Sequence, residues 1–130
     1  MIDKTIHLVP QKLQATDYTE DDLNMSPDGF FTTISAVDIL EVSPSDDILD
    51  KICNKLRTGG ILQLSGIDGL ALCRGVYAGD INLAQYSNII KNLKRVYSVI
   101  SLKKYFTDRH WKIEFAGLHQ NKYNVKIRKP

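Results

Sequence analysis

No glycine precedes Gly29, and the chain of 130 residues holds only two cysteines and one tryptophan. The missing early glycines exclude a glycine-rich phosphate loop after the first apolar run, because such a loop needs permissive dihedrals and close backbone approach. Cys53 and Cys73 have no metal-ligand spacing, so no metal site is expected, and a reduced, cytoplasmic protein is the simplest reading. No apolar run approaches the roughly 20 residues of a membrane span, and no signal-peptide pattern opens the sequence. Ser/His/Asp and Cys/His arrangements are also missing, which leaves hydrolase and kinase readings without support. His7, His110 and His119 are scattered, and lone histidines of this kind are more often structural or solvated than catalytic.

What is present is a well-punctuated α/β pattern. Ser43 is suited to cap a helix, Pro44 fits the first helical position, and Ser45, Asp46 and Asp47 put negative character at the positive dipole end. Ile48, Leu49, Ile52, Cys53 and Leu56 then share one face, with Asp47, Asp50, Lys51 and Asn54 opposite. Gly59-Gly60 supplies the positive φ of a helix exit. Ile61, Leu62 and Leu64 follow as a short apolar run, the pattern of a strand buried on both faces of a parallel sheet.

Before this unit, Thr5 to Val9 reads as a strand closed by Pro10, and Phe30 to Ser35 as a second strand behind the turn signal Pro27-Asp28-Gly29. Two registers stay open at the start: Thr5 to Val9 as the first strand, or Leu13 to Thr16 as a later strand followed by Asp17. In the first register Asp17, Glu20, Asp21 and Asp22 form a solvated acidic loop. Beyond Leu64, Ser65-Gly66-Ile67-Asp68-Gly69 reads as a loop. Ala84 to Tyr97 reads as a helix, and a second helix capped by Ser101 ends near Asp108 to His110. Trp111 to Leu118 and Lys122 to Lys129 form a hairpin through His119-Gln120-Asn121, with Trp111, Ile113 and Phe115 on one face and Tyr123, Val125 and Ile127 on one face.

Acids dominate up to Asp50, and bases dominate from Lys91 onward. Such asymmetry can mark a nucleic-acid surface, but more often it is an intramolecular or subunit complement, so nucleic acid is not the expected partner.

The run from Asp28 through Leu40-Glu41-Val42-Ser43-Pro44, followed by Leu56-Arg57-Thr58-Gly59-Gly60-Ile61-Leu62, resembles the middle of a class I S-adenosylmethionine (SAM)-dependent methyltransferase. In that family a strand ending in a Leu-Glu-His-type motif leads through a helix to a Leu-(Lys/Arg)-x-Gly-Gly turn and the next strand. The likeness is greatest to small methyltransferase-like proteins found near sugar and surface-polysaccharide biosynthesis. It implies an α/β fold, a truncated Rossmann-like methyltransferase sheet with central parallel strands and a C-terminal antiparallel hairpin, in one domain over 1–130. The chain is short for the family, so some standard element is expected to be missing.

The resemblance also implies where function would lie. The family's first strand runs into a glycine-rich loop against SAM, whereas here Val9-Pro10-Gln11-Lys12 stands in that place. The His that often follows the family's Glu is Val42, which removes a base or hydrogen-bonding group. A cofactor site would have to be rebuilt from Asp38, Glu41, Gly66 and Asp68 at the carboxyl edge of the sheet. Arg74, Tyr77 and Tyr86 would be acceptor-binding residues, able to recognise sugar hydroxyls or an anionic group. Two functional classes follow. One is a methyltransferase-like module without independent catalysis, with SAM binding weak or absent, that binds a partner chain or small ligand. The other is a minimal SAM-dependent methyltransferase acting on a sugar or related small molecule, since methyl transfer needs chiefly proximity and orientation. A sheet lacking family elements leaves an uncovered edge or face, so a homodimer or hetero-complex is expected.

Overall fold

A computed structural model of the chain describes residues 4–14 and 16–130. The elements in chain order are β1 (Thr5–Leu8), β2 (Asp17–Tyr18), α1 (Glu20–Asn24), β3 (Phe31–Val37), α2 (Ile48–Lys55) and β4 (Leu56–Ile67), then α3 (Gly69–Ala78), α4 (Leu83–Ile90), α5 (Val99–Asp108), β5 (Lys112–His119) and β6 (Lys122–Arg128). One 6-stranded sheet has the order β2-β1-β3-β4-β6-β5. The first four of these neighbours run parallel, while β6 is antiparallel to β4 and to β5. This is an α/β fold with central parallel strands and a C-terminal hairpin.

The sheet buries one face. Ile6 and Leu8, Ile34 and Ala36, Leu62 and Leu64, and Tyr123, Val125 and Ile127 point into a single core with Leu23 of α1, Ile48 and Ile52 of α2, and Leu102 and Phe106 of α5. Each fully buried Leu, Ile or Phe in such a core contributes about 1.5–3 kcal/mol relative to exposure. The alternate residues Thr5, His7, Thr33, Ser35, Ile61, Gln63, Asn124 and Arg128 are half-buried or exposed. Parallel sheets normally carry helices on both faces. Here small and polar side chains on the second face remove the need for that layer, and the expected burial of β4 on both faces is corrected: Gln63, between Leu62 and Leu64, faces water. Between β1 and β2, residues 9–16 are too few for the crossover helix that parallel neighbours ordinarily need. The β1 strand takes its expected place beside β3. Of the alternative strand over 13–16, Ala15 lies outside the described residues, and Leu13, Gln14 and Thr16 are not in a strand.

Local signals were partly overridden by distant partners. Ser43 does not cap α2, which starts at Ile48 with Asp47 as its N-cap. The Ser43 hydroxyl instead donates to Glu20 and accepts from the Ser45 backbone N–H at 3.1 Å. Lys51 reaches Glu20 at 3.5 Å, so the acids after Asp17 are not a solvated loop. Glu20 begins α1, and Asp17 is buried, accepting from the backbone N–H groups of Leu13 and Gln14 at 3.2 and 3.1 Å. Gly59-Gly60 is not the helix exit either, because Leu56 is already extended and β4 runs through both glycines. Gly59, at φ +80°, lets the strand bulge between its pairings Leu56 with Phe31 and Ile61 with Thr33.

Toward the C-terminus the expected loop at 65–69 is the end of β4 plus the first turn of α3. The long helix expected over 84–97 is the shorter α4, and residues after Ile90 run irregularly to a bridge at Tyr97. In α5 the cap is Ser98, not Ser101; Ser101 is its reciprocal partner in a capping box. The hairpin turns on Gln120 and Asn121, both at positive φ. A bulge between Ile113 and Phe115 throws Phe115 to the opposite face from Ile113, where it is 55 % exposed.

Ion pairs from the basic C-terminal half close on the acidic N-terminal half: Arg95 with Asp46 at 3.1 Å, Arg109 with Asp50 at 3.8 Å and Lys122 with Asp38 at 3.6 Å. Among the described residues no helix is long and apolar enough to cross a membrane.

Candidate functional site

The carboxyl ends of β1, β3 and β4 bring the sequence-predicted acids to one edge. Asp38 directly follows β3 in the left-handed region, at φ +56°, and its backbone N–H donates to Ser65 of β4 at 2.9 Å. A non-glycine residue in that region is uncommon, and an aspartate tolerates it better than most. Its carboxylate remains partly exposed beside Lys122.

Glu41, three residues on, goes inside and is 3 % exposed. Its Oε1 accepts from the Tyr123 hydroxyl at 2.5 Å. Burial raises the Glu41 pKa above the usual glutamate value, an effect the Tyr123 hydrogen bond opposes; Asp38 adds to the rise and Arg95 counters it. Burial likewise raises the Tyr123 phenol, and the adjoining Glu41 charge raises it further. Gly66 completes this cluster. A Cβ on Gly66 would stand 2.6 Å from both Glu41 Oε1 and the Tyr123 hydroxyl oxygen, so the glycine makes room for a carboxylate laid over β4. Gly66 is thus a residue of β4 that admits Glu41, where the sequence suggests a loop. Arg95 and Lys94 hold the other side of the turn: Arg95 Nη1 donates to the Leu40 carbonyl and the Lys94 backbone N–H to the Glu41 carbonyl, each at 2.6 Å.

Asp68 caps α3. Its Oδ1 accepts from the Leu70 and Ala71 backbone N–H groups at 3.0 and 2.9 Å, and Oδ2 accepts from Val99 N–H, at the start of α5, at 2.8 Å. At 2 % exposure, with both oxygens engaged, it locks two helices to the end of β4. A carboxylate so placed is a structural cap.

The structure separates the residues expected to bind an acceptor. Arg74 lines a cleft of about 210 Å³ with Ala71, Asp80, Leu118 and Asn121. Tyr77, one turn further along α3, is 96 % exposed, so it does not serve packing, and Tyr86 lies on α4. Among the described residues, no ion pair or hydrogen bond joins any of the three to the Asp38 and Glu41 cluster.

A cavity of about 350 Å³ does open at the carboxyl edge, lined by His7, Val9, Pro10, Leu13, Val37 and Asp38. Asp38 is the one predicted cofactor residue that faces it. His7 Nδ1 lies 3.6 Å from Asp17. Sequence reasoning missed Tyr123, Arg95 and Lys122 as members of this region. Tyr123 was legible only as a core residue, and nothing local links it to Glu41. Among the described residues no group of His, Cys, Asp or Glu side chains is gathered for a metal ion.

Neither a family model nor a curated protein matches the sequence. Solved structures do match in fold. A SAM-dependent methyltransferase from Thermotoga maritima aligns over 100% of this chain and 84% of its own, with TM-score 0.64 and 13% identity. An S-adenosylmethionine dependent methyltransferase from Mesorhizobium loti aligns over 97% of this chain and 90% of its own, with TM-score 0.64 and 11% identity. A chain from the Haloferax volcanii complex with the Trm112 methyltransferase activator aligns over 99% and 84%, with TM-score 0.60 and 7% identity. At these identities the likeness is one of fold: a truncated Rossmann-like sheet of the class I methyltransferase kind.

Proposed function

We propose that this chain is a methyltransferase-like protein that does not catalyse alone and binds a partner chain or a small ligand at the carboxyl edge of its sheet. We read it as one domain over 1–130, cytoplasmic, and of the small type associated with sugar and surface-polysaccharide biosynthesis. The observation that carries the reading is that two of the three edge acids, Glu41 and Asp68, are already engaged inside the protein. Glu41 is buried under Tyr123, Asp68 gives both oxygens to backbone N–H groups, and Asp38 pairs with Lys122. Groups satisfied inside the protein gain little by turning to a cofactor, because each new bond only replaces one already made.

The loop after β1 supports the same reading. Val9 and Pro10 carry bulk where glycines would let the backbone approach a cofactor, and Pro10 has no N–H to donate. We take it as a degenerate cofactor loop. The adjoining cavity of about 350 Å³ lies at the small end of ligand sites, which span roughly 300–1,000 Å³. These residues do not fit SAM well, so its binding to the isolated chain is weak or absent.

A partner chain is supported by α4, which buries none of its residues, and by the exposed apolar side chains of Leu83 at its start and Tyr77 on α3. The fold likeness to a chain from a complex with a methyltransferase activator supports a partner on the same grounds. We assign Arg74, Tyr77 and Tyr86 to the acceptor or ligand side of this region. The experiment is calorimetric titration of the isolated chain with SAM, in which little or no saturable heat is expected.

A second reading is favoured by the cavity that Asp38 faces. In it the chain is a minimal SAM-dependent methyltransferase acting on a sugar or related small molecule. Asp38 would contact the cofactor, and Glu41, Gly66 and Asp68 would hold the edge behind it.

A further inference from the structure

A larger cavity, of about 470 Å³, opens at the amino end of the parallel strands, the opposite end from Asp38. Its walls include Asp50 and Asn54 of α2, Tyr105 of α5, and Arg109, Trp111 and Lys129. The placement of each charge is fixed. Lys129 Nζ donates to the Cys53 and Leu56 carbonyls at the end of α2, both at 2.8 Å, which uses two of its three N–H groups. Among the described residues no carboxylate pairs with it. The Arg109 guanidinium carbon stands over the Tyr105 ring, 3.5 Å from its centroid, and Nη1 donates to the Tyr105 carbonyl at 3.2 Å. Asp50 is the single acid in the wall; it accepts from the Tyr105 hydroxyl and lies 3.8 Å from Arg109.

Two cations therefore face one partly engaged carboxylate, and the Lys129 ammonium retains a donor. The third component is apolar and planar. Trp111 is half-buried, packs on Phe106 with ring centroids 5.1 Å apart, and stands with its own ring centroid 5.9 Å from Lys129 Nζ. A ring beside an under-compensated ammonium and guanidinium is complementary to a molecule that is flat at one end and negative at the other. The volume lies within the range of small-molecule sites.

We propose that this cavity binds a small organic anion with a planar ring, its charged group held by Lys129 and Arg109 and its ring set against Trp111. The site is separate from the carboxyl edge and does not depend on the reading of that edge. Asp50 sets its selectivity, because a second negative charge there opposes the ligand's own.

Trp111 is the one tryptophan of the chain, so intrinsic fluorescence reports on this cavity directly. The probes are benzoate and phenyl phosphate, with inorganic phosphate as the anion without a ring and benzylamine as the ring of opposite charge, in low-salt buffer. A saturable change with benzoate, phenyl phosphate or both is expected at a Kd of about 1 mM or tighter. Whichever responds identifies the carboxylate or the phosphate as the recognised group. Arg109→Gln should weaken binding by about tenfold, and Asp50→Asn should tighten it several-fold. Lys129→Met should abolish it; because Lys129 also holds the end of α2, circular dichroism must show that variant folded, and Arg109→Gln carries the test if it is not. The proposal is overturned if neither ring-bearing anion gives a saturable change, if benzylamine or inorganic phosphate binds as tightly, or if Arg109→Gln leaves affinity unchanged.

Discussion

The carboxylate of Glu41 lies over the α-carbon of Gly66, close enough that a Cβ at position 66 would be 2.6 Å from Oε1 and 2.8 Å from Oε2. An acid from the turn after β3 and a glycine inside β4 thus form one packing unit, closed by Tyr123 from β6.

Gly66→Ala should therefore destabilise the protein by about 1–3 kcal/mol, the usual range for overpacking. Glu41→Ala in the same chain removes the two carboxylate oxygens it strikes and leaves the Tyr123 hydroxyl, so the double variant should recover part of that loss. Urea denaturation of both single variants and the double variant measures the coupling. Additive losses would mean that the two residues do not share space.

Glu20 and Glu41 should respond to pH with opposite signs. Burial pushes the Glu20 pKa up, but hydrogen bonds from Ser43 and Ser45 and the charge of Lys51 outweigh it, so the folded value lies below the ordinary 4.5. Its contribution is present above the unfolded pKa and is lost as pH falls through the folded one. Glu20→Gln should accordingly cost stability at neutral pH, with the deficit fading in acid. For Glu41 the folded pKa lies above 4.5, so the wild type carries a growing penalty as pH rises from the unfolded value through the folded value. Glu41→Gln should gain on the wild type over that interval. Denaturation midpoints between about pH 3 and pH 8 check both signs.

Asp68→Ala should be costly, by about 2–4 kcal/mol, because it deletes the α3 cap and strands the buried Ala71 N–H and the part-buried Val99 N–H. Asp68→Asn, which keeps one acceptor oxygen, should cost less. Thermal unfolding orders the two variants, and an Asp68→Ala protein as stable as wild type would remove the capping role.

Much of this fold was legible because its signals are local. The alternation of Tyr123, Val125 and Ile127 named the buried face of β6, and all three side chains are fully buried. The apolar stripe of α2 was equally clear. What misled was chemistry satisfied from a distance. Ser43 carries every local mark of a helix cap, yet its hydroxyl belongs to Glu20, and Gly66 looks like a loop glycine until Glu41 and Tyr123 are seen against it. Ile61 to Leu64 read as a strand buried on both faces, although the exposed Gln63 was the sign of one open face. For the site, the sequence brought Asp38, Glu41, Gly66 and Asp68 to one edge. It could not tell which carboxylates turn inward, since that depends on partners 31 to 82 residues away.

Association is expected from the exposed apolar surface of α3 and α4. Sedimentation velocity should find a homodimer, or a stable complex once a partner chain is supplied. A species that stays monomeric at high micromolar concentration, alone and with every candidate partner, would contradict it.

With Glu41 and Asp68 committed to the fold, SAM is expected to find no competent site on the isolated chain. Losing two or three hydrogen bonds of about 1 kcal/mol each weakens affinity by roughly a hundredfold, enough to move micromolar binding to sub-millimolar. Calorimetric titration of the purified chain with SAM tests this most directly, run beside Asp38→Asn, which leaves the Glu41 and Asp68 contacts in place. No saturable heat is expected below about 100 μM SAM for either protein. A low-micromolar dissociation constant for the wild type, lost in Asp38→Asn, would overturn that expectation and favour the enzyme.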